Sequence, residues 1–134
     1  HVCTPDELEQ MKQEITGGEG FDYALECIGN PGTIRATFDA ARRGGTAVIV
    51  GVGRISDEVK FSAFEFFFTD KILRGSMYGS ANVRDFMPKL IRLWKAGKLD
   101  LESMITRRIQ LEDVNDAFEA MKDGQVIRSV IDYK

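Results

Sequence analysis

Most kinds of site need residues that this chain scarcely has. It holds two cysteines, Cys3 and Cys27, and a single histidine, His1. Two cysteines make no disulfide framework, so a reducing compartment is expected, by default cytoplasmic. His1-x-Cys3 offers two metal ligands and Cys27 lies far along the chain, whereas zinc takes four protein ligands, or three and a water. No metal site is therefore expected. With the only histidine at the terminus, no Ser-His-Asp set can be assembled, and no catalytic residue is assigned. The net charge of −3 argues against a nucleic-acid partner, which requires a basic face. No apolar run approaches the ~20 residues that span a bilayer, so no membrane is expected. The opening His1-Val-Cys-Thr-Pro5 is not shaped like a secretory leader. The first residue is not Met, and the chain is read as a fragment of something longer. No G-x-G-x-x-G turn opens a helix, so the phosphate-cradling loop of a dinucleotide site is not among these residues.

What is present is a globular composition. At 134 residues and 43% hydrophobic, the chain is large enough for one domain with a core. Thr4-Pro5-Asp6-Glu7 carries a capping box with proline at the first helical position, and Leu8, Met11 and Ile15 follow at helical spacing until Gly17-Gly18. Tyr23 to Ile28 reads as a strand. Pro31 opens a second helix, with Ile34, Phe38 and Ala41 on one face and Gly44-Gly45 as its stop. Ala47 to Val52 is a continuous apolar strand, as expected when both faces are covered. A polar loop, Arg54 to Ser62, leads to five phenylalanines at 61, 64, 66, 67 and 68, read as core and interdomain filler on a short helix. Ile72 to Tyr78 is a third strand. Asn82 caps a helix to about Ala96 with Phe86, Leu90, Leu93 and Trp94 inward. Thr106 to Leu111 and Ile127 to Asp132 are strands around an amphipathic helix, Glu112 to Lys122, which carries Val114, Phe118 and Met121.

Alternation of this kind predicts α/β architecture with a parallel sheet. Ligands of such sheets bind at the strands' carboxyl ends. The runs ending in Gly29-Asn30 and in Gly51-Val-Gly53 put small residues there, where a flat cofactor can approach the backbone.

Five stretches, in order, resemble the C-terminal half of the medium-chain, zinc-dependent alcohol dehydrogenases. They are Asp22-Tyr-Ala-Leu-Glu-Cys-Ile-Gly-Asn30, Ala47-Val-Ile-Val-Gly-Val52, Leu73-Arg-Gly-Ser-Met-Tyr-Gly79, Asp113-Val-Asn-Asp-Ala-Phe-Glu-Ala-Met121 and Val126-Ile-Arg-Ser-Val-Ile131. The likeness is nearest to the class III-like, thiol-adduct formaldehyde dehydrogenase branch. It implies the second half of a Rossmann-type doubly wound parallel sheet (residues 1–100), followed by a β-α-β segment (101–134) that returns to the catalytic domain of the parent enzyme. That parent would move a hydride between an alcohol or aldehyde and NAD(H), with zinc held by residues upstream of this chain.

The resemblance also implies site residues. Cys27, Ile28 and Gly29 would lie beside the adenine and its ribose, and Val50, Gly51 and Val52 under the nicotinamide. Ser76, Met77 and Tyr78 would hydrogen-bond the carboxamide through the backbone, and Arg128 would reach the pyrophosphate. Some relatives have Arg where this chain has Asn30. Plainer readings stand beside these: Cys27 and Ile28 as strand core, Gly51 as a mark of close helix–strand packing, Tyr78 as packing, Arg128 as a surface charge. The Ile72–Tyr78 strand is implied to pair with its twin in a homodimer. Other readings of the whole chain are a non-catalytic folding and dimerisation module, or a zinc-independent, quinone-reductase-like relative.

Overall fold

A computed structural model describes residues 1–133. The chain forms two compact units, residues 1–81 and 82–134. In the first, Thr4 and Glu7 complete the expected capping box over a 3₁₀ turn, Pro5–Glu7, which runs into α1, Leu8–Thr16. Gly17 ends α1 with a left-handed φ of 66° that L side chains avoid. Three strands follow, β1 (Phe21–Glu26), β2 (Ala41–Ile49) and β3 (Ile72–Gly75), separated by α2 (Pro31–Ala40) and α3 (Ala63–Thr69). They form a parallel sheet in the order β1-β2-β3. Parallel neighbours require a crossover, and the two helices occupy those connections.

Several boundaries differ from the sequence reading. β1 begins and ends two residues early, so Cys27 and Ile28 lie beyond it. Ala41 is not on the helical face; it is extended (φ −68°, ψ 140°) and already pairs with Phe21. Gly44-Gly45 does not stop α2. These glycines lie in a bulge of β2, where the register slips between Phe21 and Tyr23 and Arg42-Arg43-Gly44-Gly45 stand opposite Asp22 alone, with Arg43 and Gly44 exposed and Gly45 buried. Two arginines and two glycines supply no apolar pattern for a strand, so periodicity alone could not have put them in one. β2 stops at Ile49 and β3 at Gly75. Val50 to Val52 are consequently loop residues, Ser76 follows β3 directly, and Met77 and Tyr78 open a kinked 3₁₀ turn, Met77–Ser80.

The core of this unit centres on Phe38, which is 0% exposed. Phe61 meets it edge-on at 4.8 Å and Phe66 stacks on it at 5.3 Å. Lys71 caps the end of α2 by donating Nζ to the Phe38 carbonyl at 2.8 Å. Arg35 ties α2 to α3: its guanidinium bonds Asp39 and Glu65, and lies over the Phe61 ring at 5.3 Å. Of the five phenylalanines read as core and interdomain filler, Phe61 packs on the core and Phe66 reaches it with one face while staying 38% exposed. Phe64, Phe67 and Phe68 are exposed, with Phe64 and Phe68 stacked on each other, one helical turn apart.

The second unit contains α4 (Val83–Lys95), β4 (Arg107–Ile109), α5 (Val114–Lys122) and β5 (Ser129–Ile131). β4 and β5 pair in parallel around α5, giving the β-α-β segment its sequence suggested. Ile109 and Ala117 are its buried residues. The apolar face read on α4 is not inward within the unit. Phe86, Leu93 and Trp94 are each exposed, and no α4 residue is buried. Phe118 and Met121 of α5 are likewise exposed. Asn82 occupies the cap position of α4, but its amide donates to Asp85 Oδ2 at 2.8 Å instead of accepting from the helix.

Candidate cofactor bed at the carboxyl edge

The first unit's three strands run in parallel, so their carboxyl ends share one edge of the sheet. Each end is followed by a short loop. Backbone hydrogen bonds stitch these loops to the neighbouring strands: Val50 N and Gly51 N donate to the Glu26 carbonyl at 2.7 and 3.1 Å, and Ser76 N donates to the Ile49 carbonyl at 2.8 Å.

Two glycines let the first two loops cross closely. A Cβ on Gly51 would overlap Gly29 N and the Ile28 backbone, and a Cβ on Gly29 would overlap Val52 and Gly53. Gly29 also has φ +88°, so a side chain there is disfavoured twice. Gly51 is thus a close-packing position, but against the loop after β1 and not between a helix and a strand. It is compatible with a cofactor role, because the same position also lines a groove.

Glu26 anchors this crossing from below. It is the last residue of β1 and is 2% exposed. Its carboxylate accepts from Ile28 N at 2.9 Å, from Gly29 N at 2.8 Å and from the Thr33 hydroxyl at 2.6 Å. Burial pushes its pKa up, but the donors from Thr33, Gly29, Ile28 and Asn30 together outweigh burial and hold the carboxyl below the ordinary 4.5. Asn30 then caps α2, its Oδ1 accepting from Gly32 N at 2.8 Å. Sequence reasoning missed Glu26. An acidic residue closing an otherwise half-apolar strand, seven residues before a threonine, was the available signal.

Glu26→Gln should lower stability by about 2–3 kcal/mol, the scale of a charge-assisted bond left with an ill-fitting partner. The native carboxyl titrates below its unfolded value. Its contribution is therefore full above that value and is lost as pH falls through the lower native one. Thermal melts from pH 7 down to 3 should show wild type losing its advantage over Glu26→Gln at the acid end. A constant gap across that range would contradict the assignment.

The loops enclose two grooves. One lies between Ile28–Pro31 and Val52–Arg54, with Asp57 at its rim. The other lies between Ile49–Gly53 and Gly75–Met77, with Ser80. The structure therefore brings Ile28, Gly29, Val50, Gly51, Val52, Ser76 and Met77 to one edge. Val52 is 90% exposed and Met77 80%, apolar side chains left facing outward at the grooves. Ile28 at 71% and the exposed Cys27 are not strand core. Cys27 lines a different hollow, shared with Cys3 and α2. Tyr78 lines neither groove and is exposed; it opens a left-handed turn, Tyr78-Gly79-Ser80, in which all three φ values are positive. Arg128 belongs to the second unit, immediately before β5. It is exposed and takes part in none of the ion pairs among the described residues. Among the described residues, no three His, Cys, Asp or Glu side chains cluster to hold a metal ion. None of the described helices is long and apolar enough to cross a membrane.

Comparison with known proteins agrees with this geometry. Residues 1–96 match the model of a family described as zinc-binding dehydrogenase. The chain is 36% identical over 115 residues to S-(hydroxymethyl)glutathione dehydrogenase of Escherichia coli O1:K1 / APEC, an alignment that covers 85% of this chain and 31% of that protein. The chain thus spans about a third of the length of the curated relatives it matches. Among solved structures, an alcohol dehydrogenase zinc-binding domain protein from Burkholderia ambifaria superposes with a TM-score of 0.79 at 26% identity, over 96% of this chain and 34% of that one. Benzyl alcohol dehydrogenase from Acinetobacter calcoaceticus shares the fold at a TM-score of 0.81 and 24% identity, over 98% of this chain and 35% of that one. The matched residues hold all three strands and their edge loops, and on that ground the chain belongs to the zinc-binding dehydrogenase family.

Proposed function

We propose that this chain forms the nicotinamide and adenine side of the cofactor bed in a zinc-dependent, NAD-linked alcohol dehydrogenase longer than the chain itself. The observation that carries the reading is the carboxyl edge, where two glycine-crossed loops and the loop after β3 leave apolar and backbone groups facing two grooves. Ile28 and Gly29 would border the adenine and its ribose, with Cys27 beside them. Val50, Gly51 and Val52 would lie under the nicotinamide. The backbone of Ser76, Met77 and Tyr78 would bond its carboxamide, and Arg128 would pair with the pyrophosphate. NAD(H), when bound, supplies the hydride acceptor or donor for an alcohol or aldehyde. The chain's own residues contribute position: a rigid floor holds the ring where small misplacements would slow transfer. Zinc does not fit the described residues, among which no three His, Cys, Asp or Glu side chains cluster; its ligands would come from other parts of the parent.

Arg128→Ala in the intact enzyme should raise KM for NAD roughly tenfold while changing kcat much less, because a charge-assisted bond to phosphate is worth ~1.5–3 kcal/mol. Unchanged cofactor kinetics would return Arg128 to the role of surface charge.

The parent is proposed to be a cytoplasmic homodimer. Residues 1–100 would serve the dinucleotide-binding domain and 101–134 the return to the catalytic domain. β3 lies at the sheet's edge, and alternation from Ser76, which donates to β2, turns Leu73 and Gly75 toward the open side. An edge without proline or lysine recruits a second strand, and a two-fold axis through β3 would make the contact self-complementary. Light scattering of the intact enzyme should give twice the protomer mass.

A further inference from the structure

We infer that Arg54 contacts the ADP-ribose half of the dinucleotide and sets the affinity for that half. The inference rests on the reading of this edge as an NAD bed and adds a residue to it. It begins from the groove between the first two loops, where Ile28 and Asn30 line one side and Val52 and Arg54 the other. Arg54 is the groove's only cation, and its only anion is Asp57. Asp57 is already engaged through the backbone: its Oδ2 accepts from Arg54 N at 3.0 Å, and its own amide donates to the Arg54 carbonyl at 3.0 Å. This turn fixes the Arg54 main chain. Its guanidinium is exposed and joins none of the ion pairs or side-chain hydrogen bonds among the described residues.

The facing side carries no charge to duplicate it. Asn30 spends its side-chain oxygen on Gly32 N, and Ile28 presents an exposed apolar surface. A flat, permanently charged guanidinium opposite an apolar side chain suits a ligand that is both planar and anionic. The guanidinium can stack on a purine or fork onto phosphate oxygens. The ADP-ribose half of a dinucleotide has both a purine to stack on and phosphates, whereas the nicotinamide half joins its single phosphate to a ring that carries positive charge when oxidised and is a poor partner for a cation.

The test uses the intact protein that contains this chain. NADH affinity is read by fluorescence titration, and ADP-ribose affinity by displacement of NADH, for wild type and Arg54→Met. Methionine keeps an unbranched apolar stem and removes the guanidinium. The expected result is about fivefold weaker binding of NADH and an equal loss for ADP-ribose, with the melting temperature unchanged because Arg54 is an exposed loop residue. Unchanged NADH affinity would overturn the inference, as would a loss for NADH that ADP-ribose does not share. Wild-type protein that binds neither ligand would defeat the NAD reading itself.

Discussion

Gly51→Val is expected to leave the intact protein with NADH affinity reduced by at least a hundredfold and with a lowered melting temperature. The smallest possible addition at this position, a single Cβ, already overlaps Gly29 N and the backbone of Ile28. The obstructing atoms are main chain, and they are held: Gly29 N donates to the buried Glu26 carboxylate, and Gly51 N donates to the Glu26 carbonyl. Neither loop can retreat without breaking those bonds. Overpacking costs ~1–3 kcal/mol where side chains can adjust, and here they cannot. A displacement cost of roughly 3 kcal/mol is on the order of a hundredfold in affinity if it falls on the bound geometry. Gly75→Ala is the contrasting substitution for stability. Its Cβ would meet nothing within 4 Å, so its melting temperature should stay near wild type. Equal effects at the two positions would mean that the loop crossing is not what constrains Gly51.

Phe38→Ala should destabilise the first unit by about 3–5 kcal/mol, the range for emptying a fully buried aromatic site. Phe38 is the largest fully buried side chain among the described residues. Its loss would remove the stacked and edge-on contacts with Phe66 and Phe61, and the ring beneath Lys71 Nζ at 4.9 Å. The other buried apolar residues of this unit are small, namely Ala40, Ala41 and Ala47, and the large side chains that border the space, Phe61 and Phe66, lose their ring partner. Against a total of ~5–15 kcal/mol for a typical domain, this is a large fraction. Guanidinium unfolding should show a clear fall in the transition midpoint. A shift equivalent to less than about 1 kcal/mol would show that α2 and α3 are not held together through this ring.

The alternation of elements was legible in the sequence because it rests on local signals: the Thr4–Glu7 capping box, Asn30-Pro31 at a helix start, and apolar runs closed by glycine. Strand ends were less legible. Cys27, Ile28, Val50 and Val52 are as apolar as the strand residues before them, and hydropathy does not record where a ladder of hydrogen bonds stops. Gly44-Gly45 carried the signature of a helix stop, yet the pair sits in a strand bulge, because pairing with β1 imposed extension on a stretch without strand propensity of its own. The site residues came chiefly from the family resemblance. Glu26 did not, because its role depends on donors from the loop after β1 and from α2 that converge only once both are folded.

We propose that residues 27–30, 50–53 and 76–78 together hold a dinucleotide. Hydrogen exchange of the intact protein, followed by mass spectrometry with and without NADH, tests it most directly. Exchange should slow on NADH addition in peptides covering all three segments, with little change in the peptides of α1. Protection confined to other parts of the protein, with these three segments exchanging equally fast in both states, would contradict it.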